Sequence, residues 1–307
     1  MALMRFLVIG FVAAVLVACG DDDSSFATRP SDGSSSSVTP KSSDSETSVS
    51  SEKQGDGESS SAMTSSSSVE SSSSSSVPEG YVDPSTVVAG TMTDERDGKT
   101  YKTVTIGTQT WMAENLNYAY IGIPYNYSGY TFDSTSWCYG DNPANCTKYG
   151  RLYTWAAAMD SVGEWSTNGK GCGYRSTCTP TYPVRGICPE GWHLPDSTEW
   201  NMLFTAVGGK SIAGKKLKST SGWNDYEKNI YNGTDAYAFS ALPAGGRYGD
   251  GDYIGEGYYA YFWSSTEYDS YYAYFMDLYY YYDYAYLSYY DKYDGFSVRC
   301  VKDVQAE

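Results

Sequence analysis

Between Tyr253 and Tyr293 the chain places 17 of its 33 tyrosines, interleaved almost only with Asp, Ser, Ala and Gly. No ordinary core is built this way, because a buried tyrosine needs a partner for its hydroxyl. Strand alternation over 271–279 puts Tyr271, Ala273, Phe275, Asp277 and Tyr279 on one face, and Tyr272, Tyr274, Met276 and Leu278 on the other. Neither face is cleanly apolar. The four consecutive tyrosines at 279–282 must point both ways, so some of them are exposed. Phe275, Met276, Leu278 and Leu287 read as inward anchors. The bland reading is a structural ladder of aromatic rings; the sharper one is a recognition surface. Antibody paratopes use the same palette, a large ring with only two χ angles to freeze beside small adaptable polar residues. Expected ligand contacts are Tyr258, Tyr259, Tyr261, Tyr268, Asp269, Tyr271, Tyr272, Tyr279, Tyr280, Tyr281, Tyr282, Tyr284, Tyr289 and Tyr290.

The N-terminus reads as an address. A single positive charge at Arg5 precedes the apolar Phe6–Val17 run, which has the length of a signal peptide rather than a membrane span. Leu16-Val17-Ala18-Cys19 resembles the bacterial lipobox, in which Cys19 is lipidated (palmitate among its acyl chains) and becomes the mature first residue. Each buried acyl CH₂ adds roughly 0.8 kcal/mol, so several chains hold firmly. Gly20-Asp21-Asp22-Asp23 follows, without an aspartate directly after the cysteine. The expected location is the outer membrane, lipid-anchored and facing outward.

Residues 24–77 are about half serine and carry almost no aliphatic surface, which predicts a disordered, flexible tether. At ~5–6 Å times the square root of its length, it reaches on the order of 40 Å. The net charge of −16 divides into −8 over residues 20–79 and −9 over 80–307, with Arg5 returning one positive charge. An acidic domain without a basic stripe repels phosphate backbones, so no nucleic-acid partner is expected. The boundaries are a signal peptide and lipobox at 1–19, a tether at 20–79, and one domain at 80–307.

Six cysteines remain in that domain, and an even number in an exported chain points to disulfides. Short loops favour Cys138 with Cys146 and Cys172 with Cys178, which leaves Cys188 and Cys300; other connectivities stay open. A zinc site has little to work with, since no C-x-x-C occurs and His193 is the only histidine.

Along the domain, Gly90–Asp94 begins a strand and Asp97-Gly98 is a hairpin turn. Thr100–Ile106 alternates as a strand, then Gly107-Thr108-Gln109 turns into Thr110-Trp111-Met112. Leu152–Met159 reads as a short helix. Asp196 or Ser197 caps a second helix with Trp200, Leu203 and Val207 on one face, stopped by Gly208-Gly209. Everything later reads as short, turn-rich and β-like. The class is α+β: an antiparallel sheet with few short helices and long loops, stapled by disulfides.

Six segments carry a resemblance: DERDGKTYKTVTIGTQTWMAENL at 94–116, YGRLYTWAAAM at 149–159, CPEGWHLP at 188–195, FSALPAG at 239–245, FWSST at 262–266 and GFSVRCVKD at 295–303. Together they resemble the Fibrobacter succinogenes major paralogous domain over 90–303. The resemblance implies a branch of the C-type-lectin-like fold, near the formylglycine-generating-enzyme-like domains. In that fold a long disulfide near the termini suits Cys188 and Cys300, and Trp111, Trp155, Trp192, Trp200 and Trp263 become framework packing. It implies no particular activity.

Other candidates read better as structure. Trp223-Asn224-Asp225 matches a calcium-and-sugar tripeptide of C-type lectins but lacks the companion loop, so chance explains it. Asp250-Gly251-Asp252 with Glu256 breaks the EF-hand pattern and reads as a surface turn. His193, between framework residues, has no nucleophile to serve. No catalytic residue, metal or cofactor is expected, although unmarked carboxylate pairs are plentiful. The expectation is a non-catalytic surface lipoprotein that binds an extracellular glycan or protein through its tyrosines. The rivals are a carbohydrate-active or modifying enzyme, or a structural envelope protein.

Overall fold

The Asp97-Gly98 corner folds the first two strands back on each other. β1 (Val88–Asp94) and β2 (Lys99–Ile106) pair antiparallel from Val88 opposite Thr105 to Asp94 opposite Lys99. Gly98 takes φ 70°, a left-handed conformation that costs a glycine nothing. The computed structural model describes residues 78–120, 136–227 and 231–304. Cys19 and the serine-rich segment lie outside the described residues.

The chain continues through β3 (Gln109–Met112), β4 (Ser136–Trp137), α1 (Pro143–Tyr149), β5 (Leu152–Tyr153) and α2 (Trp155–Ala158). Next come β6 (Trp192–His193), α3 (Ser197–Ala206) and α4 (Lys210–Leu217). The last part is nearly all strand: β7 (Gly246–Arg247), β8 (Tyr253–Ile254), β9 (Tyr259–Glu267), β10 (Tyr272–Tyr279), β11 (Ala285–Asp291), β12 (Phe296–Ser297) and β13 (Val301–Lys302).

Among the described residues three sheets result, in the orders β1-β2-β3-β13-β6, β11-β10-β9-β12-β5-β4 and β7-β8. Pairing is antiparallel throughout except between β12 and β9. The C-terminal β13 slots between β3 and β6, with Val301 facing both Trp111 and His193. Among the described residues no helix is long and apolar enough to cross a membrane.

Three expectations about elements need correction. The helix expected over Leu152–Met159 is confined to Trp155–Ala158. Leu152 and Tyr153 instead pair with Ser297 and Phe296 on one side and with Trp137 and Ser136 on the other, and Thr154 caps the helix behind them. The region after Gly208-Gly209 is not purely β, because α4 follows at once. The strands β9, β10 and β11 of the tyrosine tract, with 9, 8 and 7 residues, are also not short.

α3 begins where expected. Asp196 Oδ1 accepts the Glu199 N–H at 2.8 Å and Glu199 Oε2 accepts the Asp196 N–H at 2.9 Å, a reciprocal capping box. Two buried clusters flank the large sheet. One packs α3 and α4 (Trp200, Leu203, Phe204, Leu217) against Phe262, Met276, Leu278 and Ala285. The other packs Trp155, Ala157 and Ala158 of α2 against Trp263, Ala273, Phe275 and Phe296. All five framework tryptophans are buried.

The disulfides are Cys138–Cys146, Cys172–Cys178 and Cys188–Cys300, with Cα separations of 4.8, 5.0 and 5.9 Å. The middle loop is also tied down electrostatically. Buried Lys292 pairs with Glu267 and donates to the Gly173 and Ser176 carbonyls at 3.3 and 3.1 Å.

Candidate functional site

The tyrosine tract is a three-strand meander, β9-β10-β11, and its two turns decide where the rings go. In the first turn Asp269 Oδ1 accepts the N–H groups of Tyr271 and Tyr272 at 2.7 and 2.8 Å. Asp269 therefore shapes the chain, with that oxygen already occupied. The second turn rests on α4. Lys218 Nζ donates to the carbonyls of Tyr279, Tyr280 and Tyr282 at 3.2, 2.7 and 3.0 Å. Burial lowers the Lys218 pKa to about 8. Gly214 is obligatory beside it, since a Cβ there meets the Tyr284 carbonyl oxygen at 2.3 Å.

β10 is a central strand that sends side chains into core on both faces. Met276 and Leu278 enter the α3/α4 cluster and Ala273 and Phe275 the α2 cluster, so the expected anchors are inward; Leu287 packs against the first cluster. The fourteen expected contact residues do not form one patch. Tyr274 of β10 faces Tyr289 of β11. Tyr268 lies 3.9 Å from the Tyr289 ring with planes 7° apart, and Tyr272 meets Tyr289 edge-on at 5.8 Å. Tyr268 and Tyr289 remain 47% and 46% exposed. Tyr271 leans on Tyr174 at 5.4 Å, and Tyr258 sits edge-on to Tyr280 at 5.0 Å.

Around the second turn the rings are half-buried and stacked: Tyr281 on Tyr226 at 4.8 Å, Tyr282 on Tyr284 at 4.3 Å. Tyr280 is a correction. Its ring is only 7% exposed and belongs to the α3/α4 cluster, because the turn directs it inward between its outward neighbours.

The opposite face of the meander holds the rest. Tyr259 stacks on Tyr261 at 5.1 Å and on Tyr279 at 4.6 Å, and Tyr290 stacks on Tyr248 at 6.0 Å. Between these pairs lies Asp277, directly across from Tyr261 on β9 and Tyr286 on β11. Its Oδ1 is buried and, among the described residues, accepts no hydrogen bond, and desolvation raises its pKa to about 7. Tyr261 is pushed far up by burial first, then by Asp277, so its hydroxyl stays protonated. Beyond Tyr248 and Tyr290 opens a cavity of about 360 Å³ walled by Asp250, Asp291 and Asp294. Burial raises Asp294 to about 8, against the Gly249 N–H that it accepts.

Sequence reasoning missed Asp277, Tyr286 and Tyr248. Alternation had put Asp277 on the correct face, but the tyrosines beside it are set by register, which alternation does not give.

The Fibrobacter succinogenes major domain matches residues 104–302. The chain belongs to this family. No curated protein and no solved structure matches it. The family match runs from β2 to β13 and contains the whole tyrosine meander and all six disulfide-forming cysteines.

In this family member the remaining candidates have local duties. His193 bridges two carboxylates, Nδ1 to Asp303 at 2.6 Å and Nε2 to Glu199 at 2.7 Å. Desolvation lowers its pKa, but Glu199 and Asp303 outweigh it and the net shift is upward. Trp223 Nε1 donates to Ser219 Oγ and the Ala241 carbonyl at 3.1 and 3.2 Å, which makes it core. Asp250 Oδ1 accepts the Asp252 N–H at 3.1 Å in the β7–β8 turn, and Glu256 accepts from the Tyr149 hydroxyl at 2.9 Å.

Proposed function

We propose that this is a lipid-anchored protein of the outer membrane, exposed at the cell surface, whose domain binds an extracellular glycan or protein without catalysis. The observation that carries the reading is the state of the tyrosines. Tyr268 and Tyr289 are exposed, yet each is held by ring stacking on a sheet whose far side carries the Ala273 and Phe275 core. Rings fixed in advance lose little side-chain freedom on binding, and each offers a large part of ~150–250 Å² of contact. A purely structural ladder gains nothing from leaving them in water.

The anchor reading rests on Leu16–Cys19 and the acidic cluster that follows. A C-type-lectin-like arrangement is supported by the first and last strands sharing one sheet and by the long Cys188–Cys300 link.

The test is binding of the full chain to a glycan array and to extracellular proteins, repeated with Tyr268→Ser/Tyr289→Ser. These positions are exposed, so the variant is expected to keep its melting temperature and lose most of its binding. Undiminished binding by the folded variant removes these tyrosines from the ligand site. In cells, palmitate labelling is expected to disappear in Cys19→Ser; persistent labelling defeats the anchor.

A further inference from the structure

Asp277 is a carboxylate in the middle of a central strand, flanked on the same face by two tyrosines. Cross-strand neighbours stand about 4.5–5.5 Å apart, so Tyr261, Asp277 and Tyr286 form one continuous row. The stacked pair Tyr259/Tyr279 continues the strip on one side, and Ser288, Tyr290 and Tyr248 continue it on the other. Tyr286, at the outer end of the row, is 48% exposed.

The fold makes no use of the Asp277 carboxyl. Among the described residues no side chain or backbone group donates to its buried Oδ1, and no basic residue pairs with it. A buried acceptor without a donor opposes folding, so its reason lies outside the fold. The chemistry of the row narrows that reason. Three classes of ligand are open: anions, cations and neutral polyols.

An anion meets an acidic domain, with Asp250 and Asp291 along the same strip. A cation needs carboxylates that stay ionised, whereas burial holds Asp277 and Asp294 toward their neutral, hydrogen-bonding form. A neutral sugar needs what is present: flat rings for its apolar C–H face, tyrosine hydroxyls, and an acceptor for its own hydroxyl.

We propose that the row Tyr261–Asp277–Tyr286 is a subsite for a neutral oligosaccharide, its sugar ring lying against the tyrosines and one of its hydroxyls donating to the partly exposed Asp277 carboxyl. The proposal rests on the reading of the tract as a ligand surface and adds the ligand class and the place. It puts this sugar ring on the face away from α3 and α4, so that Tyr268 and Tyr289 on the other face contact a different part of the ligand.

Calorimetric titration of the full chain with cellohexaose, xylohexaose and mannohexaose tests it, with trigalacturonate and hexalysine as charged controls. At least one neutral hexasaccharide is expected to bind, and its affinity to fall by roughly tenfold or more in Asp277→Ala and in Tyr286→Ser. Asp277→Asn, which keeps the volume and a carbonyl acceptor, is expected to lose less than Asp277→Ala. Melting temperatures establish that each variant is folded, and exposed Tyr286 secures the test if the Asp277 variants are not. Binding of no neutral hexasaccharide overturns the proposal, as does tighter binding of either charged control. Sugar binding that survives in Asp277→Ala and Tyr286→Ser but vanishes in Tyr268→Ser/Tyr289→Ser overturns the subsite while leaving the ligand surface standing.

Discussion

Asp277 carries a free-energy penalty whose sign can be worked out. Its folded-state pKa of about 7 stands above the ordinary 3.8 because burial disfavours the charged form. A carboxyl so shifted leaves stability intact below its unfolded pKa and removes it as pH rises through the folded one. The loss thus falls between pH 4 and 7 and reaches about 2–4 kcal/mol. Asp277→Asn cannot ionise. Relative to wild type, its melting temperature is expected to gain several degrees at pH 8 and almost nothing at pH 4. A pH-independent difference between the two proteins contradicts the shift. Asp294, raised to about 8, and His193, also raised, act in the same direction. His193 contributes fully below about 6.5 and loses its contribution as pH passes its folded value.

The turn between β10 and β11 depends on one ammonium from another element. Lys218 serves three carbonyls of a turn that contains four consecutive tyrosines, and the neighbouring Lys215 N–H donates to the Asp283 carbonyl at 2.9 Å. Lys218→Met fills similar space but leaves those carbonyls without their donor. It is expected to cost roughly 2–4 kcal/mol in denaturant unfolding. Hydrogen exchange at Tyr282, whose N–H bonds to Tyr279, is expected to quicken before the rest of the sheet. Unchanged stability and exchange mean that solvent replaces the ammonium. This turn also marks how far sequence reading reaches. Alternation identified Phe275, Met276 and Leu278 as inward, and a cap at Asp196 or Ser197 located α3, because both signals are local. α4 was invisible since Gly214 interrupts it and its reason is contact with the Tyr284 carbonyl, 70 residues on. Leu152 and Tyr153 passed for helix because their strand partners, Ser297 and Phe296, lie far away in the chain. The candidate strip shows the same divide: its tyrosine composition was plain, but the row through Asp277 exists only in the paired strands.

At the scale of the whole molecule, the three disulfides differ in what they enclose. Cys138–Cys146 and Cys172–Cys178 close loops with separations of 8 and 6, whereas Cys188–Cys300 spans 112 residues. The long loop contains α3, α4 and all three strands of the tyrosine meander. Its closing cysteine stands immediately before β13, the strand that joins the N-terminal hairpin to β6. Chain-entropy arguments assign a loop of that size about 4–5 kcal/mol and the short loops about 2–3 kcal/mol each. Cys188→Ala/Cys300→Ala is therefore expected to lose the most stability of the three paired variants. It should also lose ligand binding at temperatures where the others retain it, because the tyrosines sit inside the released segment. Equal losses from all three pairs argue that local strain or residual structure in the unfolded chain outweighs loop length. Greater loss from Cys172–Cys178 instead assigns the decisive role to its tie through Lys292 and Glu267, which a two-site variant Lys292→Met/Glu267→Gln then reproduces.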